Sequence, residues 1–121
     1  RIPNCTYTEP GIGSVGYSEA EARAAGFKVR IGKFPFMANS KATILGRHDG
    51  FIKVVADEKF GEILGVHIIG PVATDLIAEA VAAMEAEATV DTLMNTIHPH
   101  PTVSEAMSDA FNSVYGLAIN A

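Results

Sequence analysis

Two residues in this chain have the types and spacing for proton-transfer chemistry: His100 and Glu105, in the run His98-Pro99-His100-Pro101-Thr102-Val103-Ser104-Glu105-Ala106. A histidine just before a helix start can lie over the first turn of that helix. A glutamate in the turn can then accept a hydrogen bond from one ring nitrogen, which fixes the tautomer and leaves the other nitrogen free to move a proton. That is the base and its orienting group in a nucleophilic triad. No Ser or Cys nearby is a persuasive nucleophile, and the single cysteine, Cys5, is far off in sequence. The nucleophile would have to come from elsewhere, such as another chain.

A structural reading stands beside this one. Thr102-x-x-Glu105 is a capping box, in which hydroxyl and carboxylate each satisfy a free backbone N–H at a helix start. Pro101 would fix the entry, and the histidines would be loop residues. Spacing alone leaves both readings open. His98-x-His100 offers two metal ligands where zinc takes three or four, so no metal site is expected. Gly11-Ile12-Gly13-Ser14-Val15-Gly16 matches the dinucleotide-binding expression GxGxxG. That site needs an apolar strand before it and an acid about 20 residues later. Here the run follows polar residues, and no acid stands between positions 27 and 48, so a glycine-rich turn and strand is expected.

These residues need a scaffold. Cys5 to Thr8 reads as a short strand closed by Glu9-Pro10-Gly11, and residues 13–17 as its continuation. Ser18-x-x-Glu21 is a capping box for a helix that Gly26 ends. Residues 27–34 alternate apolar and polar, the period of a half-buried strand. Residues 38–46 suit a short helix or a loop. Residues 51–56 and 63–69 are β-rich, and the polar, Gly-ended segment between them signals a hairpin. Pro71 could open a helix with an apolar stripe at Leu76, Ile77, Ala80, Val81 and Met84. Further helices are expected over 90–96 and 103–114, with Gly116 ending the last. Strands first and helices after favour an α+β fold, an antiparallel sheet flanked by helices.

The chain has 121 residues, which suits one domain. Net charge is −5, unevenly spread. Residues 1–59 hold all nine Lys and Arg against six acids, and residues 60–121 hold eight acids and no Lys or Arg. An acidic second half argues against nucleic acid, which needs clustered positive charge. With glycine counted and tyrosine left out, about 55% of residues are apolar against the usual ~45–50%, which suggests a surface covered by a partner subunit. One thiol allows no internal disulfide and suits a reducing compartment. No apolar run approaches the ~20 residues of a membrane span, and no signal peptide is visible. The chain opens Arg1-Ile2-Pro3 rather than with Met, which points to a piece of a longer protein.

The run from His98 to Ala106 is similar to the C-terminal signature of the pyridine nucleotide-disulfide oxidoreductases, with the dihydrolipoamide dehydrogenases the nearest resemblance. The likeness covers nearly the whole chain. Thr6-Tyr7-Thr8-Glu9-Pro10 through Ser14-Val15-Gly16-Tyr17-Ser18-Glu19 resembles the opening of that family's interface domain. Asn39-Ser40-Lys41-Ala42 resembles its Asn-x-Arg/Lys-Ala stretch. Residues 50–54 and 63–70 resemble its paired strands. Family members often carry Glu and Ala where Gly11 and Gly13 stand, a difference that touches a turn.

The resemblance implies that residues 1–121 are a dimerisation domain from a longer flavoenzyme. The FAD domain, the NAD domain and a redox-active Cys pair would lie N-terminal to it. The domain would form a homodimer and bind no cofactor by itself. His100 would reach the partner subunit's active site and take a proton from dihydrolipoamide, and Glu105 would orient it. His98 and Pro99 would lie near the partner's flavin, through backbone more than side chain. Lipoyl domains of 2-oxo acid dehydrogenase complexes would be the partners of the full-length enzyme, in the bacterial cytoplasm or the mitochondrial matrix. The chain continues past the motif to Ala121, as lipoamide enzymes do and glutathione reductases usually do not. Mercuric reductases carry a paired cysteine near the C-terminus and lack this histidine. A glutathione-type sister reductase and a stand-alone, non-catalytic dimerisation module remain the alternatives.

Overall fold

The computed structural model describes residues 3–6, 11–39, 41–42, 46, 49–70 and 73–116. Among these, five strands form one sheet: β1 (Asn4–Thr6), β2 (Gly11–Gly16), β3 (Val29–Pro35), β4 (Phe51–Asp57) and β5 (Ile63–Gly70). The order across the sheet is β1-β2-β5-β4-β3, and every pairing is antiparallel. The α-helices whose bounds fall within the described residues are α1 (Glu19–Ala24), α2 (Ala73–Glu85), α3 (Val90–Met94) and α4 (Glu105–Ser113), and residues 41–42 are helical as well. The α+β class expected from the element order is the one observed.

The alternation of apolar residues along the strands builds two cores. Phe34, Ile52, Val54, Val66 and Ile68 point to one face, where they meet Ile77 and Met84 of α2, Leu93 of α3, and Met107 and Phe111 of α4. Val29, Val55 and Leu64 point to the other face and pack with Ala22 of α1 and the partly buried Phe27. A register shift between Val55 and Ala56 interrupts the β4–β5 ladder. Each fully buried aliphatic or aromatic side chain contributes about 1.5–3 kcal/mol through area removed from water.

Local rules explain the joints. The Ser18 hydroxyl accepts from the Glu21 N–H and the Glu21 carboxylate accepts from the Ser18 N–H, at 3.1 and 2.9 Å, so the expected capping box forms. Gly26 follows α1 at φ +97°, a conformation glycine adopts without a Cβ penalty. The hairpin expected between residues 51–56 and 63–69 is β4–β5. Residues 11–16 are strand throughout, paired residue by residue with Gly70 back to Gly65. A Cβ on Gly13 would lie 2.8 Å from the Ala73 carbonyl oxygen, so this glycine lets α2 approach the sheet.

Some expectations need correction. Residues 13–17 do not continue the first strand: Cys5 faces Gly13 in an antiparallel pair, so the chain reverses and β2 runs back along β1. Period-2 alternation cannot separate a continued strand from a returned one. The turn residues Glu9 and Pro10, the opener Pro71 and much of 38–46 lie outside the described residues. The last two helices are shorter than expected, Val90–Met94 and Glu105–Ser113. Residues 95–104 between them form the irregular segment on which the candidate site is built.

Candidate acid–base site

Pro99 and Pro101 deny residues 98–101 a helical hydrogen-bond pattern, so the chain crosses from α3 to α4 without regular structure. The His100–Pro101 peptide is cis. After it the chain tightens into a turn. The Ala106 N–H donates to the Val103 carbonyl and the Met107 N–H to the Ser104 carbonyl, both at 3.0 Å. Ser104, at the N-cap, makes no side-chain capping bond.

Thr102 and Glu105 do the capping one turn earlier. The Thr102 N–H donates to Glu105 Oε1 at 3.1 Å, and the Glu105 N–H donates to Thr102 Oγ1 at 3.3 Å. The same hydroxyl donates to the Pro99 carbonyl at 2.6 Å and contacts Ser104 Oγ at 3.0 Å. The capping reading is therefore correct as structure, with the box running from Thr102 across the turn at 103–104 to Glu105, the first residue of α4.

The same carboxylate meets His100. Nδ1 of His100 lies 2.8 Å from Glu105 Oε1 and 2.9 Å from Oε2. A carboxylate accepts and cannot donate, so this nitrogen carries the proton. Nε2 is then left as acceptor or base while the ring is neutral. The His100 side chain is 63% exposed and that of Glu105 18% exposed. The pair is thus an outward-facing imidazole on a largely covered carboxylate. Glu105 also stands in the first turn of α4, where the helix dipole favours a negative charge. Capping and orienting are one arrangement.

The histidine two residues earlier behaves differently. His98 turns inward, 9% exposed, and its Nε2 lies 2.9 Å from Glu79 Oε2 on α2. Its Nδ1 is buried and has no partner among the described residues. The two histidines thus serve separate carboxylates rather than one point. Among the described residues no three His, Cys, Asp or Glu side chains group as metal ligands. Pro99 stays at the surface with its carbonyl taken by Thr102.

Two participants were not visible in the sequence as parts of this site. Glu79 sits on α2, and nothing in its spacing tied it to His98. Asn39 is 1% exposed, donates from Nδ2 to the Thr102 carbonyl at 3.0 Å, and accepts the Ala42 N–H on Oδ1 at 2.9 Å. Its only sequence signal was the Asn39–Ala42 resemblance. Cys5 is half-buried in β1 and packs against the core. A groove of about 520 Å³, lined by Tyr17, Glu21, Phe27, Leu64 and Met84 among others, takes in no residue of 95–105. Beside His100, Ile97 is 95% exposed, and Met37 and Phe60 are large exposed apolar side chains elsewhere.

Comparison with known proteins gives a consistent picture. Residues 2–111 match the pyridine nucleotide-disulphide oxidoreductase dimerisation domain. Over 121 residues the chain is 48% identical to the dihydrolipoyl dehydrogenase of Rhizobium etli, covering all of this chain and 25% of that protein. Over 119 residues it is 51% identical to the dihydrolipoyl dehydrogenase of Bacillus subtilis, covering 98% of this chain and again 25% of the relative. The mitochondrial dihydrolipoyl dehydrogenase of Caenorhabditis elegans is 46% identical over 120 residues. The chain thus spans about a quarter of the length of these relatives. Among solved structures, the HOCl-induced flavoprotein disulfide reductase RclA of Escherichia coli superposes with a TM-score of 0.87 at 25% identity, covering 92% of this chain and 26% of that one.

Proposed function

This chain belongs to the pyridine nucleotide-disulphide oxidoreductase dimerisation-domain family, and we propose that it is the dimer-forming quarter of a dihydrolipoamide dehydrogenase, supplying His100 and Glu105 to the partner subunit's active site. One observation carries the reading. His100 is held by Nδ1 on both oxygens of Glu105, while the ring stands 63% exposed with Nε2 available. A residue with only a structural duty would gain nothing from this mixture of a fixed tautomer and an open face.

The chemistry follows from the geometry. A dithiol is a poor nucleophile until one sulfur loses its proton, because thiolate is the form that attacks a disulfide. Nε2 of His100 accepts that proton, and the imidazolium so formed keeps Nδ1–H on the Glu105 carboxylate. In the return direction the same nitrogen gives the proton back to a leaving sulfur. FAD, when bound, supplies the two-electron relay between the thiols and NAD. The residues here fit the edge of such a flavin site and no more. His98 Nε2 is committed to Glu79 with Nδ1 buried, and the Pro99 carbonyl is committed to Thr102, so what the two can offer a partner's flavin is mainly the His98 backbone and the pyrrolidine edge. FAD and NAD are held by the rest of the longer chain, and the isolated 121 residues turn nothing over.

The apolar side chains of Met37, Phe60 and Ile97, exposed in the single chain, support burial against a partner. The full-length homodimer then works with lipoyl domains of a 2-oxo acid dehydrogenase complex, in the bacterial cytoplasm or the mitochondrial matrix. The described residues contain no helix long and apolar enough to cross a membrane. A lipoamide substrate is favoured over other disulfides by the 44–51% identity to dihydrolipoyl dehydrogenases, against 25% to the flavoprotein disulfide reductase. The test is NAD reduction by dihydrolipoamide in the full-length protein. His100→Gln is expected to lower kcat by roughly 10²–10⁴, the usual share of general acid–base catalysis. Turnover near wild type would refute the role of His100.

A further inference from the structure

The geometry points to Asn39 as a positioning residue for the acid–base pair, acting through the Thr102 carbonyl to set where Glu105 and His100 stand against the core. The inference rests on the acid–base reading above. Thr102 is the hub of the site: its N–H goes to Glu105, and its hydroxyl accepts from the Glu105 N–H and donates to the Pro99 carbonyl. All of these bonds lie within residues 99–105, so they shape the loop without saying where it sits. The Thr102 carbonyl makes the link outward, to Asn39 Nδ2 at 3.0 Å across 63 residues of sequence.

Asn39 is well placed for such a task. It follows the 3₁₀ turn Phe36–Ala38 that ends β3, and it is 1% exposed, with the fully buried Phe36 and Ala42 close in sequence. Its other end is fixed, because Oδ1 accepts the Ala42 N–H at 2.9 Å. One amide thus spends its acceptor on its own turn and a donor on the catalytic loop. A side chain serving only its local turn would need the acceptor alone, as serine or threonine provides in the same role. The carbonyl it grips is three residues from Glu105 and two from His100. Misplacing a catalytic group by about 1 Å can cost on the order of 10²-fold in rate.

The experiment uses the full-length flavoenzyme and a double-mutant cycle. Asn39→Ser keeps a hydroxyl to accept the Ala42 N–H but is too short to reach Thr102. It is expected to lower kcat for dihydrolipoamide oxidation by about 10- to 100-fold, with KM for NAD and flavin content unchanged. The same substitution on a His100→Gln background is expected to change kcat by less than about twofold, since the group it positions is already gone. An equal loss on both backgrounds would overturn the inference and leave Asn39 a structural residue. No loss on the wild-type background would overturn it as well. If His100→Gln itself has no effect, it is the acid–base reading that falls. Should Asn39→Ser fail to load flavin, Asn39→Thr takes its place in the cycle, keeping the cap and filling more of the vacated volume. Failure of both to load flavin would assign Asn39 to folding and overturn the inference.

Discussion

Replacing Glu105 by Gln separates the two services this carboxylate gives to His100, geometry and charge. Glu105 Oε1 accepts from both the Thr102 N–H and His100 Nδ1, at 3.1 and 2.8 Å. A glutamine oxygen in the place of Oε1 can accept both bonds once the amide swings its NH₂ clear of His100 Nδ1, which lies 2.9 Å from Oε2 in the native pair. Capping and tautomer are therefore retained, and the negative charge is lost. Two unit charges 4 Å apart interact by about 1 kcal/mol in water and about 4 kcal/mol at the effective dielectric of a pair near a protein surface. His100 is 63% exposed, so the lower part of that range applies. A loss of about 1–2 kcal/mol of support for the imidazolium corresponds to about 5- to 30-fold in kcat. That is less than the roughly 10²–10⁴ expected for His100→Gln. The assay is steady-state NAD reduction by dihydrolipoamide in the two full-length variants side by side. A Glu105→Gln loss as large as that of His100→Gln would mean that the carboxylate itself moves the proton. No loss at all would mean that its charge is idle. Either result would refute the reasoning.

Gly32→Ala would put a Cβ within 2.7 Å of Ala110 O, Ser113 Oγ and Val114 Cγ2, forcing α4 away from β3. We expect a lower urea midpoint for the 121-residue chain, equivalent to about 1–3 kcal/mol from overpacking. Glu79→Ala removes the partner of the 9%-exposed His98 Nε2 and should cost about 1–3 kcal/mol in the same assay. It should also lower kcat in the full-length enzyme, because His98 is two residues from His100. The hydrogen bond from Lys53, and next the one from Arg23, hold the Glu19 carboxyl below its ordinary value of 4.5 in the folded chain. A depressed carboxylate adds stability above its unfolded value that is lost as pH falls through the folded value. Lys53→Met should therefore flatten the acid limb of a urea-midpoint profile, and an unchanged limb would exclude the pair as its source.

Much of this molecule was legible in its residues. Ser18 and Glu21 announced their capping box, and the β4–β5 hairpin followed from two β-rich runs around a polar, Gly-ended turn, because both signals are local. His100 and Glu105 were also local, five residues apart on either side of a helix start, so their pairing could be expected before any coordinates. The strand reversal between Thr6 and Gly11 was missed because alternation is the same in both directions. Glu79 and Asn39 were invisible as site residues for a different reason. Their bonds to His98 and Thr102 span 19 and 63 residues, and only the packing of α2 and of the turn after β3 against the loop brings them there. That His100 looks away from its own chain was legible only as the lack of a nearby nucleophile.

Service in trans is the central claim, and subunit complementation in the full-length enzyme tests it most directly. One subunit carries His100→Gln, and the other carries a Ser in place of a redox-active cysteine in the N-terminal region. Each homodimer lacks one half of every site. If His100 serves the partner, the mixed dimer regains one complete site of two, so about half the wild-type turnover per dimer returns. If it serves its own subunit, every site in the mixed dimer still lacks a component. Turnover that stays at the level of the two inactive homodimers would contradict the account.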